Sequence, residues 1–287
     1  MKIDIQDITD LLETYEDYCF ETWRNNKSIT INDIKNTIQK TLSNIYATEN
    51  QNVMVSIDYY LESLLPTLIR DFLETTYSKY KSYINKNIQF EKLKQLSLPE
   101  QRSVEWYNLR ENILTASSLA DALGKGHFKT RDELLFDKSC KESDKKPFTN
   151  HWIMEWGVKY EDVAIQFYEE LTGAKVMDFG LVPHPNLKVF GASPDGICDE
   201  TSPPKYIGRM LEIKCPPKRV FTKEVPEHYW MQMQGQLDTC DLEECDFLQV
   251  KINEYKSIED FKNDIYSVEG EIKHGRTQSN LPKGSTL

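Results

Sequence analysis

The sequence predicts an α/β fold, a central mixed β-sheet flanked by helices, behind a helical N-terminal extension. Three observations lead there. Apolar residues up to about position 98 recur only at helix spacing, those beyond Trp152 combine a helical stripe with short strand-like runs, and Pro99 interrupts the chain between the two regions. A length of 287 residues suits one large domain or a core domain with an addition. With 39% hydrophobic and 28% charged residues, the composition excludes a wholly disordered chain, a collagen-like repeat and a polytopic membrane protein.

In chain order, Ile5, Ile8, Leu11, Leu12 and Tyr15 predict a first amphipathic helix, and Ile31, Ile34, Ile38 and Leu42 another. A third, from Val53 to Tyr83, carries Tyr59, Leu61, Leu64, Leu65, Leu68, Ile69 and Phe72, with Pro66 as a kink or a start. The stretch 93–103 reads as a connector leading into a helix around Trp106 and Leu109. This divides the chain into a helical extension (1–98), a core domain (99–275) and a loose polar tail (276–287).

Within the core, Lys138–Thr149 reads as a surface loop. Tyr160, Val163, Ala164, Phe167, Tyr168 and Leu171 form a helical stripe that Gly173 caps. Strands are expected at Ala174–Val182, Lys188–Ala192, Gly208–Lys214 and Cys245–Ile252. Helices are expected at Tyr229–Leu237 and Ile258–Ile272.

The net charge of -11 disfavours non-specific attraction to nucleic acid, but a nucleic-acid groove needs only a local basic strip and a metal site needs acids. Residues 1–20 hold six acids against one base, which suits a protein-facing or outer surface rather than contact with DNA. The N-terminus shows no signal-peptide-type apolar stretch and no run is long enough to span a bilayer, so an intracellular, non-secreted protein with no membrane partner is expected. Six scattered cysteines with no C-x-x-C pair are expected as free thiols.

The chemistry concentrates in two short segments. Asp195 sits in the turn of Gly191-Ala-Ser-Pro-Asp-Gly196, and Glu212 and Lys214 alternate with Ile213 in Met210-Leu-Glu-Ile-Lys-Cys-Pro216. Side chains two apart on a strand share a face, so Glu212 and Lys214 project together. Two charges on one face mean either a surface pair or a functional site.

Pro194-Asp195 followed 17 positions later by Glu212-Ile213-Lys214 resembles the PD-(D/E)XK signature of restriction-endonuclease-like nucleases. Blocks 105–124, 156–173, 191–196, 211–216 and 229–237 occur in the order seen in the YqaJ-type viral recombinases, the phage lambda exonuclease group of that superfamily. The resemblance covers about 103–252. It implies a restriction-endonuclease-like core and a metal-dependent exonuclease that hydrolyses linear double-stranded DNA from its ends, 5' to 3', in recombination, repair or replication of a viral or phage-type genome. A structure- or sequence-specific endonuclease and a catalytically idle DNA-binding scaffold remain the alternatives.

The same resemblance implies two Mg2+ ions, replaceable by Mn2+, held by Glu161, Asp195, Glu212 and the backbone carbonyl of Ile213. Hard oxygen donors suit that ion, which neutralises phosphate charge and activates water. Lys214 then orients or deprotonates water and meets the charge of the phosphorane. Gln232 positions the water, with Gln234 and Gln236 as alternatives. Arg110, Ser117 and, less directly, Ser193 hold a DNA phosphate; Ser117 also reads as an ordinary helix N-cap, and Arg110 as a partner of Glu105 or Glu111.

Lys214, Lys218, Arg219 and Lys223 line a DNA path or a solvated face, and Trp106, Trp152, Trp156 and Trp230 read as packing residues. A single-strand annealing or binding protein and a homo-oligomer are the implied partners. The helical extension, a departure from the compact family pattern, caps the DNA channel, binds a partner or alters oligomerisation. A viral protein of this kind would work in the host cytoplasm or nucleus.

Overall fold

A computed structural model describes residues 5–45, 51–140, 151–218, 223–268 and 270–283. The chain divides into two compact units, residues 1–88 and 89–287. The first is helical: α1 (Ile5–Glu13), α2 (Glu16–Arg24), α3 (Ile31–Ile45) and most of α4 (Gln51–Lys94). It buries part of the apolar repeats read from the sequence: Leu64 is exposed, and the side chains of Ile5, Tyr59 and Leu61 lie outside the described residues. Ile8, Leu12, Ile34, Ile38, Leu42, Leu65 and Ile69 form one cluster with Cys19, and α4 continues through Pro66.

The second unit is built on a four-stranded sheet in the order β2 (Val176–Met177), β5 (Gly196–Cys198), β6 (Met210–Lys214), β7 (Cys245–Gln249). A three-stranded sheet of β1 (Leu114–Thr115), β4 (Phe190–Ala192) and β3 (Val182–Pro183) accompanies it. Strand β6 pairs antiparallel with β5 and parallel with β7, from Met210↔Cys245 to Lys214↔Gln249. Parallel neighbours need a crossover, and α9 (Glu227–Cys240) lies within the one joining β6 to β7.

Alternation along β6 then sorts its side chains. Leu211 and Ile213 pack with Tyr160, Ala164 and Tyr168 of α8 (His151–Thr172). Met210 packs with Cys240 of α9, and Glu212 and Lys214 lie on that same face by the period of two. Helix α8 stops at Gly173, whose φ of +72° favours glycine and whose N–H donates to Glu169 O at 2.8 Å. Helices α5 (Val104–Asn112), α6 (Leu119–Ala122) and α7 (Arg131–Ser139) complete this part, with a 3-10 turn at Ala116–Ser118.

Gly235 lets α9 lie close to β4. A Cβ there would meet Leu119 at 3.0 Å, Phe190 at 3.1 Å and Ala116 at 3.3 Å. Alanine is the better helix former by about 1 kcal/mol, which offsets so slight a crowding, so Gly235→Ala is expected to be near neutral. Gly235→Val overpacks the contact and is expected to cost about 1–3 kcal/mol, seen as a lower urea midpoint at unchanged m-value.

Two predicted elements differ. The run 174–182 is not one strand but β2 and β3, in separate sheets. The break has a steric reason: Gly180 lies so close to Pro99 that a Cβ would sit 2.0 Å from its carbonyl oxygen. The expected last helix ends early, with α10 (Ile258–Asn263) followed by an antiparallel pair, β8 (Tyr266–Val268) and β9 (Glu271–Lys273). Gly270, at φ +87°, lies in the turn between them. Residues 276–283 fold back toward α10, with Lys283 Nζ donating to Phe261 O at 2.7 Å. Of the predicted surface loop, residues 138 and 139 end α7, and 141–150 lie outside the described residues. All six cysteines are free thiols.

Candidate active site

The centre forms where β6 faces α9. Glu212 is fully buried, which excludes a surface ion pair. A buried carboxylate survives only if its charge is paired and its oxygens receive hydrogen bonds. Lys214 Nζ and Gln232 Nε2 donate to Oε1, the latter at 2.7 Å, and Gln236 Nε2 donates to Oε2 at 2.7 Å. Gln232 and Gln236 stand one helical turn apart and reach the same carboxylate, whereas Gln234 is exposed. Tyr229, one turn earlier, puts its ring 5.1 Å from Lys214 Nζ.

Asp195 ends the loop between β4 and β5 and accepts the Ile213 N–H at 2.6 Å. This fixes the turn against β6 and brings the Asp195 carboxylate next to Glu212. Burial, then the negative charge of Glu212, hold Asp195 well above the usual carboxylate range; Lys214 opposes this and Glu161 adds to it. Burial works against the charge on Lys214, but Glu212 and Asp195 outweigh it and hold its ammonium above the ordinary lysine value.

Glu161 projects from α8, and its carboxylate is held by Arg102, whose Nη2 lies 2.8 and 2.7 Å from the two oxygens. Burial raises Glu161, and Arg102 pulls it back. The three acids thus share one electrostatic neighbourhood. Among the described residues, however, no three His, Cys, Asp or Glu side chains converge closely enough to enclose a metal ion. The chemistry of the donors fits a hard divalent cation: the half-buried Asp195 and the fully buried Glu212 are carboxylates that repel each other, and a cation beside them would relieve the repulsion.

A second group surrounds Ser193 and Ser117. Trp106 Nε1 donates to Ser193 Oγ at 3.0 Å, so that serine keeps its own proton to donate. Arg110 stacks on Trp106 at 4.2 Å and donates to Ser117 Oγ at 3.2 Å, which also lies 3.0 Å from Thr115 Oγ1. Burial lowers the Arg110 pKa, partly offset by Tyr107. Ser117 lies inside the 3-10 turn, not at a helix N-cap, so its hydroxyl is oriented by Arg110 rather than spent on a helix end.

The sequence did not point to Gln101, Arg102 or the Trp106 indole. Gln101 Nε2 lies 3.0 Å from Asp178 Oδ1, 2.8 Å from Phe179 O and 3.0 Å from Pro194 O, and so ties the connector to the Asp195 loop. Only the Ser103 N-cap of α5, accepting the Trp106 N–H at 3.1 Å, had a local signal, a serine three residues before the tryptophan. Trp152 and Trp230 are about half exposed rather than packed. Lys218 Nζ lies 5.6 Å from the Trp152 ring, Lys223 is exposed, and Arg219 lies outside the described residues.

Comparison with known proteins gives three results. Residues 105–243 match the model of the YqaJ-like viral recombinase domain. An uncharacterized protein, R354, of Acanthamoeba polyphaga mimivirus is 34% identical over 224 residues, 73% of this chain and 39% of that protein. The chain therefore spans about two fifths of the length of that relative. Among solved structures, an alkaline exonuclease (LHK-Exo) from Laribacter hongkongensis is 28% identical, with 52% of this chain and 74% of that one covered and a TM-score of 0.42. A complex of LHK-Exo with dAMP gives the same identity and TM-score over 51% of this chain and 73% of that one. Among the described residues no helix is long and apolar enough to cross a membrane. Residues 105–243 thus resemble the YqaJ-like viral recombinase domain.

Proposed function

We propose that this chain is a Mg2+-dependent deoxyribonuclease that degrades linear double-stranded DNA from its ends, 5' to 3', in viral DNA recombination, repair or replication. The observation that carries the reading is the fully buried Glu212, bonded by Lys214, Gln232 and Gln236 and adjoining Asp195. Such an arrangement costs desolvation, and a phosphodiester hydrolase has a use for it.

Asp195, Glu212, the Ile213 carbonyl and Glu161 are the groups that would hold Mg2+, for which Mn2+ can substitute. The bound ions supply charge neutralisation at the phosphate and a more acidic water. The chain's own residues do the rest. Lys214 brings a point charge to the reacting phosphate, and Gln232, fixed to Glu212, offers its amide to orient water. Arg110 and Ser117, with Ser193 nearby, receive a neighbouring phosphate, a role a half-buried guanidinium beside a hydroxyl suits. Lys218 and Lys223 extend the basic strip along the DNA, and a strand-annealing or single-strand-binding protein takes up the 3' strand left behind. The extension at 1–98 provides the protein-facing surface, including any contact within a homo-oligomer.

Linear, nicked and covalently closed duplexes, end-labelled on either strand, test this in Mg2+ and in EDTA. Loss of label from the 5' end of linear DNA alone, abolished by EDTA, is expected. Cutting of closed circles would make the chain an endonuclease, and binding without cleavage an idle scaffold.

A further inference from the structure

Arg102 stands where its backbone disfavours it. The Ser103 N–H donates to Glu100 O at 3.1 Å, closing a four-residue turn. Arg102, third in that turn, has φ +66°. Glycine takes this conformation freely, and other residues at some cost. In exchange the arginine makes an ion pair. Its guanidinium contacts both oxygens of Glu161, at 2.8 and 2.7 Å, and also attracts Asp178. The turn is anchored on both sides, by Gln101 to the Asp195 loop and by Ser103 capping α5, so the guanidinium is held in place rather than arriving by chance. Its side chain remains 40% exposed, against 22% for Glu161. It is therefore within reach of solvent and of a substrate.

We propose that Arg102 is a resident cation on Glu161 that competes with a divalent ion for that carboxylate, and so sets the affinity of the metal position to which Glu161 contributes. Displaced from Glu161, its exposed guanidinium is free to take a phosphate of the DNA. Arg102 is a positioning residue acting through Glu161, and the inference rests on the metal-dependent reading above.

The test is Mn2+ binding by the full chain without DNA, followed through the free-Mn2+ paramagnetic resonance signal. Wild type, Arg102→Gly, Glu161→Gln and the double variant are compared. Glycine is the useful substitution because it adopts φ +66° without strain, which keeps the turn intact. Arg102→Gly is expected to tighten the weaker Mn2+ site by about tenfold, a gain absent in the Glu161→Gln background. A role confined to holding the turn would leave Mn2+ affinity unmoved. Unchanged or weaker affinity in Arg102→Gly, or a gain that persists without Glu161, overturns the inference alone. Absence of Mn2+ binding by all four chains overturns it together with the metal-dependent reading.

Discussion

Lys214→Ala is expected to slow DNA hydrolysis by roughly 10²–10⁴-fold, the range typical of removing a positioned proton-transfer or charge-stabilising group. The loss should fall on the chemical step, measured in single-turnover digestion of a labelled linear duplex at saturating enzyme, with DNA binding little changed. Stability moves too, because Glu212 is left buried with only Gln232 and Gln236 as donors. Breaking a buried pair costs about 3–5 kcal/mol when no water enters. Lys214 is 23% exposed, so solvent reaches the vacated space and a smaller loss is expected. Combining Lys214→Ala with Glu212→Gln removes the uncompensated charge, and the urea midpoint should then recover while activity does not.

Asp195→Asn is expected to do the reverse: abolish cleavage and raise metal-free stability. Burial, then Glu212, hold Asp195 well above the usual carboxylate range. In the pH interval between that range and the raised value, the folded chain binds a proton that the unfolded chain has released. Stability without metal therefore falls as pH rises through that interval, and is not regained above it. Asparagine carries no such charge, and its side-chain oxygen can still accept the Ile213 N–H. Thermal unfolding in EDTA should show Asp195→Asn melting a few degrees above wild type at pH 8, the gap closing toward pH 4. Added Mg2+ should raise the wild-type midpoint and leave that of Asp195→Asn unmoved. Equal pH dependence in the two chains would show that Asp195 is not the strained acid described.

The centre was legible where a local period carries the information. A period of two along 210–214 placed Glu212 and Lys214 on one face, and that face meets α9. The resemblance singled out Gln232, with Gln234 and Gln236 as alternatives; Gln232 and Gln236, four apart on the helix, both reach Glu212, and Gln234 is exposed. Contacts that depend on how the connector packs left no such trace. Arg102 meets Glu161 across 59 residues and Gln101 meets Pro194 across 93, and neither a left-handed arginine nor a side-chain amide shared among three acceptors has a sequence signature. The last element misled for a related reason. Ile258, Phe261, Ile265 and Ile272 mimic a helical stripe, but the chain leaves the helix at Asp264 and pairs Tyr266–Val268 with Glu271–Lys273 instead.

The central claim is that the buried carboxylate of Glu212 serves phosphodiester hydrolysis. Glu212→Gln preserves shape and removes one charge, and Gln236 can turn its amide to match. The decisive measurement is nucleotide release from a uniformly labelled linear duplex in Mg2+ by wild type and Glu212→Gln side by side, with both shown to be folded. Release by wild type, and a fall of roughly 10² or more in the variant, is predicted. Equal release by the two chains would contradict the account.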